Sequence, residues 1–245
     1  MPYEPLHRSP EQTNVLQGLI DRCLSTAKLG QVPVAVFDLD GCLFDNRPRQ
    51  IQIVREFAAQ YGEYDLFRLR DDHIEDWSLD ASFRAAGIPE ATIERVRRPI
   101  TVFWQRQFFR GRYTLYDHAM PGAPQLVWRI YQTGAHVVYL TGRDETMRHG
   151  TEESLTRFGF PFHRPRTTLI LKPEFASDDA AFKTEALREI RTLGRPVAFL
   201  DNEPTNLNIF ADHEPEATIV MVCTHQNPPK VETYTHNPRV TRVIK

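Results

Sequence analysis

Val32-Pro33-Val34-Ala35-Val36-Phe37-Asp38-Leu39-Asp40-Gly41 is an apolar, largely β-branched run that ends on two acids and a glycine. β-Branched and aromatic residues favour an extended chain, and a run without polar alternation reads as a strand covered on both faces. The acids then stand where a buried strand gives way to a loop, and Gly41 permits the tight turn that follows. Residues two apart at a strand end can both aim into one cavity once the chain leaves the pleat.

The same pattern recurs downstream. Residues 135–140 lead into Thr141-Gly142-Arg143, residues 167–171 into Lys172-Pro173, and residues 197–200 into Asp201-Asn202-Glu203. A fifth run at 218–223 can complete a sheet, and the Pro-rich tail after it receives no assignment. Near-continuous apolar strands separated by helical stretches imply a parallel sheet covered on both faces, a three-layer Rossmann-like α/β fold. Ligands of such sheets bind at the carboxyl ends of the strands, where the polar residues gather.

Upstream, Ser9-Pro10-Glu11-Gln12 supplies an N-cap, a proline at the first helical position and a capping-box glutamine. Val15, Leu16, Leu19, Ile20 and Leu24 recur at helical spacing until Gly30 and Pro33 end the segment. The long interval between the first and second strands exceeds what one crossover helix needs, so residues 46–118 read as an inserted helical cap. Residues 1–45 and 119–245 then form the core with its N-terminal helix. In the insertion, Ile51, Val54, Phe57 and Ala58 fit one helix face and Ile93 and Val96 a second, while Val102, Phe103, Phe108 and Phe109 make a third apolar stretch.

A chain of 245 residues can bury a sizeable core, and 41% apolar with 25% charged residues is ordinary for a folded globular protein. A net charge of −2 offers no broad basic field for nucleic acid or an anionic membrane, so recognition must be local. Three scattered cysteines make neither a disulfide framework nor a zinc site. With no basic stretch followed by an apolar run at the N-terminus, and no long apolar segment, a cytoplasmic location is expected.

Asp38 and Asp40 carry the chemistry in this reading. A carboxylate can attack a phosphoryl group if a cation neutralises the clustered negative charge and a second acid protonates the leaving oxygen. Phe37-Asp38-Leu39-Asp40-Gly41-Cys42-Leu43 resembles the first motif of the haloacid dehalogenase superfamily, and three further motifs appear in that family's order. Tyr139-Leu140-Thr141-Gly142-Arg143 is similar to the second, whose hydroxyl binds the phosphoryl group. The resemblance gives that role to Thr141, with Gly142 and Arg143 as substrate-binding neighbours, although Arg143 equally suits a surface salt bridge. The third motif is a lysine. Lys183 and Lys172 compete for it, and Lys183 is preferred because it opens the helix leading into the fourth strand, as in acid phosphatases and the phosphatase domains of polynucleotide kinases.

Phe199-Leu200-Asp201-Asn202-Glu203-Pro204 resembles the fourth motif, which holds metal. The resemblance implies magnesium bound by Asp38, the Asp40 backbone carbonyl and Asp201. The chain departs from the family in having Asn202 and Asn206 where a second acid is usual; Glu203 or Asn202 can act through a water, since magnesium keeps several.

The resemblance therefore implies strand order 5-4-1-2-3, a cap over the site, and a magnesium-dependent phosphatase acting through phosphorylated Asp38, with Asp40 as acid and base. A small phosphorylated metabolite or nucleotide is the expected substrate, ahead of a nucleic-acid 3′-phosphate. Transfer to an acceptor other than water, and a non-catalytic protein that binds a phosphorylated ligand, stay open. Cys42 reads as a small packing residue, and His73, His118, His136 and His149 as packing or surface. Trp104 with Phe103, Phe108 and Phe109 reads as core ahead of a substrate-pocket lining, and Arg47 and Arg49 as weak candidates for ester binding.

Overall fold

The computed structural model describes residues 10–74, 78–223 and 240–244. From the N-terminus the chain runs α1 (Pro10–Lys28), β1 (Pro33–Phe37), β2 (Phe44–Asp45), α2 (Arg47–Tyr61), α3 (Leu79–Ala85), α4 (Glu90–Phe108) and β3 (His118–Ala119). It continues through α5 (Ala123–Gln132), β4 (His136–Asp144), α6 (Arg148–Arg157), β5 (Thr167–Lys172), α7 (Asp179–Leu193), β6 (Arg195–Asp201), α8 (Pro204–His213), β7 (Thr218–Cys223) and β8 (Val240–Ile244).

Six parallel strands form one sheet in the order β5-β4-β1-β6-β7-β8. This is the expected five-strand order with one strand added at the edge by the tail. Val240-Thr241-Arg242-Val243-Ile244 interleaves polar residues with apolar ones, which suits an edge strand and hides it from a search for continuous apolar runs.

Alternation along the strands divides the core into two layers. Ala35 and Phe37 of β1, with Val137 and Tyr139 of β4, pack against Leu19 and Cys23 of α1 and Val127 and Ile130 of α5. Val34 and Val36, with Val138, Leu140 and Phe199, pack against Leu187 and Ile190 of α7 and Leu207 and Phe210 of α8. α1 begins at Pro10 as its signals imply; its Ser9 cap lies outside the described residues.

The described residues between β2 and β3 are largely helical and build a separate apolar cluster from Ile51, Val54, Phe57, Phe83, Ile93 and Val96, among others. The second and third apolar stretches expected there belong to a single helix, α4, which runs through Pro99 and is followed directly by Phe109. Proline removes one donor yet leaves the apolar face continuous across Ile93, Val96 and Ile100. β2 and β3 pair antiparallel, Phe44 with Ala119 and Asp45 with His118, so the segment leaves and rejoins the sheet layer at adjacent points. Among the described residues no helix is long and apolar enough to cross a membrane.

Candidate active site

β1 ends by extending its parallel ladder one residue, the Asp38 amide donating to the Leu200 carbonyl at 2.9 Å. The chain then turns tightly: the amides of Cys42, Leu43 and Phe44 all donate to the Leu39 carbonyl, and Gly41 sits at φ 76°, a conformation that strains residues with a side chain. Cys42 is buried with its thiol 3.6 Å from the Leu200 carbonyl, the packing role its size suggests.

The turn delivers Asp38 to a buried ionic group. Lys183, in the second turn of α7, donates from Nζ to Asp38 at 2.9 Å, to the Leu140 carbonyl at 3.1 Å and to Asp201 at 3.2 Å. The structure thus brings Lys183, rather than Lys172, onto Asp38; Lys172 Nζ pairs with Asp179 at 2.8 Å. Asp201, at the end of β6, also accepts from the Glu203 amide at 2.8 Å and the Asn206 amide at 3.0 Å. Burial pushes the Asp38 carboxyl above its usual range; Asp201 and Asp40 add to this and Lys183 opposes it. Burial alone would lower Lys183, but the charges of Asp201 and Asp38 outweigh it and keep the ammonium protonated.

Asp40, two residues on, faces a different set of groups. Arg143 grips both carboxylate oxygens, Nε to Oδ2 at 2.7 Å and Nη2 to Oδ1 at 2.8 Å, and Arg49 reaches Oδ1 at 3.0 Å. Burial would raise the Asp40 carboxyl, but the two guanidinium charges outweigh it and hold it below the usual carboxylate range. Behind both arginines lies Asp117, fully buried, which accepts from Arg49 Nε at 2.7 Å and Arg143 Nη2 at 2.8 Å and also pairs with Arg49 Nη2. Arg143 further meets the Thr151 hydroxyl at 3.3 Å, so its donors go to protein groups and not to an open substrate site. Arg49 is likewise committed, and Arg47 pairs with Asp45, so neither holds a free charge for an ester.

Asp38, Asp40, Thr141, Gly142, Arg143 and Lys183 all line one cleft of about 850 Å³. Thr141 is buried, and its hydroxyl accepts from the Arg143 amide at 3.2 Å. None of His73, His118, His136 and His149 lines the cleft. Trp104, Phe108 and Phe109 do, and they also pack in a small apolar cluster with Ile53 and Tyr113, so the face read as core borders the cleft as well: helical spacing shows that residues share a face and not all that this face meets.

Among the described residues no three His, Cys, Asp or Glu side chains gather as a ready metal cluster. The oxygen donors are Asp38 and Asp201, with the Asp40 carbonyl on the same loop. Asn202 joins them: it is 1% exposed, lines the cleft, and neither its amide oxygen nor its nitrogen has a hydrogen-bond partner among the described residues. A buried amide left unpaired is costly unless something in the cleft satisfies it. Two carboxylates, a carbonyl and an amide oxygen form a hard-oxygen set that fits a magnesium ion retaining part of its water shell.

Asp117 escaped the sequence reading. Its partners lie 68 and 26 residues away, and a lone acid in Tyr116-Asp117-His118 carries no local signal. The fully buried Arg49 was noticed only for its proximity in sequence to the catalytic loop.

No protein-family model matches the chain, and no curated protein matches it in sequence. Its fold, however, is shared with solved structures. A candidate phosphatase from Clostridium difficile superposes with a TM-score of 0.60 at 12% identity, over 87% of this chain and 94% of that one. Protein Tyrosine Kinase A of Mycobacterium tuberculosis gives a TM-score of 0.56 at 18% identity, over 88% and 94%. A haloacid dehalogenase-like family hydrolase from Streptococcus pneumoniae gives 0.52 at 13% identity, over 86% and 93%. The chain therefore has the haloacid dehalogenase-like fold.

Proposed function

We propose, with that fold as the premise, that the protein is a magnesium-dependent phosphatase hydrolysing a phosphate monoester through a phosphorylated Asp38. The observation that carries this reading is Lys183, whose ammonium bridges Asp38 and Asp201 at 2.9 and 3.2 Å at the carboxyl edge of the sheet. Such a bridge screens a carboxylate nucleophile from an incoming phosphoryl group.

An Asp38 oxygen attacks phosphorus in line, and the bond to the leaving oxygen breaks as that oxygen takes a proton from Asp40. Asp40 then takes a proton from water as the water attacks phosphorus and the bond to Asp38 breaks. Lys183 and the Thr141 hydroxyl hold the charge on the phosphoryl oxygens. Arg143 and Arg49 keep Asp40 a carboxylate here, the form that accepts the proton from water; to serve as acid it must take up a proton and loosen from the clamp. Asp38, the Asp40 carbonyl and Asp201 would hold magnesium, with the Asn202 amide beside them. Bound, the ion supplies positive charge that offsets the repulsion between carboxylate and phosphate.

The test is phosphate release from an aryl phosphate and a panel of phosphorylated metabolites, with and without magnesium, in the wild type and Asp38→Asn. Magnesium-dependent release that is lost in the variant is the expected result, and release that persists in the variant overturns the mechanism. The Asp40 clamp favours one second reading, a protein that binds a phosphorylated ligand without turnover. Tight phosphate-ester binding with no release would establish it.

A further inference from the structure

We infer that the substrate's leaving group is an uncharged alcohol or phenol carrying a flat aromatic ring, held against Phe175, Phe109 and Trp104 at the outer end of the cleft. The inference rests on the proposed phosphatase reading and specifies the substrate class of that same site.

The lining of the cleft is divided in chemistry. Asp38, Thr141, Lys183 and Asn202 are all buried and form a polar floor. Another part of the lining is aromatic. Phe108, buried beneath the Arg49 guanidinium at 4.5 Å, stacks on Trp104 with ring centroids 4.4 Å apart and an interplanar angle of 23°. Phe109 stands edge-on to Phe108 at 5.1 Å and meets Phe175 at 4.4 Å. Phe175 comes from the loop between β5 and α7, so the aromatic wall is closed from two separate parts of the chain. Its ring is 54% exposed and contributes little to any core, yet it lies at the edge of the cleft with the Lys172 ammonium 5.4 Å from its centroid. Offset and edge-on ring contacts are favourable beyond the area they bury, so such a wall prefers a ring to an aliphatic chain.

The charges of the cleft restrict the ligand further. Each cation lining it is already matched by a carboxylate: Lys183 by Asp38 and Asp201, Arg143 and Arg49 by Asp40 and Asp117, Lys172 by Asp179. Asp178, Asp179 and Glu203 stand along the lining. A single phosphoryl group on the floor meets Lys183, whereas a second phosphate, or the next phosphates of a nucleic-acid strand, would meet carboxylates without a surplus cation. The cleft volume of about 850 Å³ lies within the span of about 300–1,000 Å³ usual for small-molecule pockets and accommodates a ring beyond the phosphate.

The experiment measures binding and turnover separately. Phenyl phosphate, a nucleoside monophosphate, glycerol phosphate and a nucleoside bisphosphate are titrated calorimetrically into Asp38→Asn, alone and combined with Phe175→Ala or Phe175→Leu, and KM and kcat are measured in the enzyme with Asp38 intact. The expected result is tighter binding of the two ring-bearing monoesters, weakened about tenfold by Phe175→Ala in both Kd and KM, with glycerol phosphate unmoved. Phe175→Leu keeps apolar bulk without the ring and should weaken binding nearly as much; Phe175 is exposed on a loop, so neither change threatens folding. Equal binding of phenyl and glycerol phosphate, indifference to Phe175, or tighter binding of the bisphosphate overturns the inference. Ring-dependent binding without phosphate release leaves it standing and overturns turnover instead. Binding of none of these esters overturns both.

Discussion

Asp38 and Asp40 are separated by a single residue, yet their partners come from different parts of the molecule. Asp38 is served from the sheet and its covering helices: its partner Lys183 comes from α7 and is held in turn by Asp201 of β6 and the Leu140 carbonyl of β4. Asp40 is held across a boundary, by Arg143 from β4 and by Arg49 from the first helix of the helical segment, with Asp117 bracing both arginines where that segment ends. The groups around the proposed nucleophile are thus independent of the helical segment's position, whereas those around the proposed proton-transfer group are not. A movement of α2 that leaves Asp38 untouched must alter the charge beside Asp40.

Substitutions can break this contrast at several levels. The largest effect is expected from Asp38→Asn, with phosphate release falling more than about 1,000-fold and the thermal midpoint staying close to wild type. Lys183→Met should come next. It leaves two buried carboxylates facing each other without their cation, which costs about 3–5 kcal/mol and lowers Tm by roughly 10 °C, read by calorimetry. Asp117→Asn tests the other half. Asp40 still partners both arginines, so the stability loss should be about 2 kcal/mol, while kcat falls roughly tenfold with KM little changed. An equal rise in KM would mean that Asp117 shapes the binding site instead. The smallest effect belongs to Lys172→Met, whose partner Asp179 is largely exposed: about 1 kcal/mol or less, with release retained. A collapse of activity there would reverse the assignment of the two lysines.

What could be read in advance follows the range of the interactions. Five of the strands and the residues at their carboxyl ends were legible because each rests on a local pattern, a β-branched run followed by polar residues and a turn; their order came from the resemblance, and β8 had no such pattern. Lys183 was preferred over Lys172 from its place at the start of a helix, and the structure sets it on Asp38. The Asp40 clamp was not legible, because an arginine on α2 and an acid 68 residues later acquire meaning only when the chain has folded. For Arg143 a substrate contact and a salt bridge stayed equally open for the same reason: a residue's motif position gives its neighbourhood and not the direction of its donors, which the structure turns to Asp40 and Asp117. The aromatic wall was legible in part. Periodicity correctly grouped Trp104 and Phe108 on a helix, but the loop that brings Phe175 opposite them has no periodic signal at all.

The two-residue ribbon of β2 and β3 has a practical consequence. Because Phe44 and Ala119 are direct cross-strand neighbours, and the Met120 amide donates to the Leu43 carbonyl at 2.9 Å, the intervening chain leaves and rejoins the sheet layer at one narrow seam, beside the contacts it makes through Arg49 with Asp40 and through Thr114 and Leu115 with α6. A short hairpin turn grafted across that seam would leave every strand of the parallel sheet in register. The trimmed molecule would keep its lysine-bridged carboxylate pair and lose both the Arg49–Asp117 brace and the aromatic wall of α4. The seam therefore offers a cassette boundary, at which the groups proposed to cleave phosphate can be separated from those proposed to choose what it is attached to.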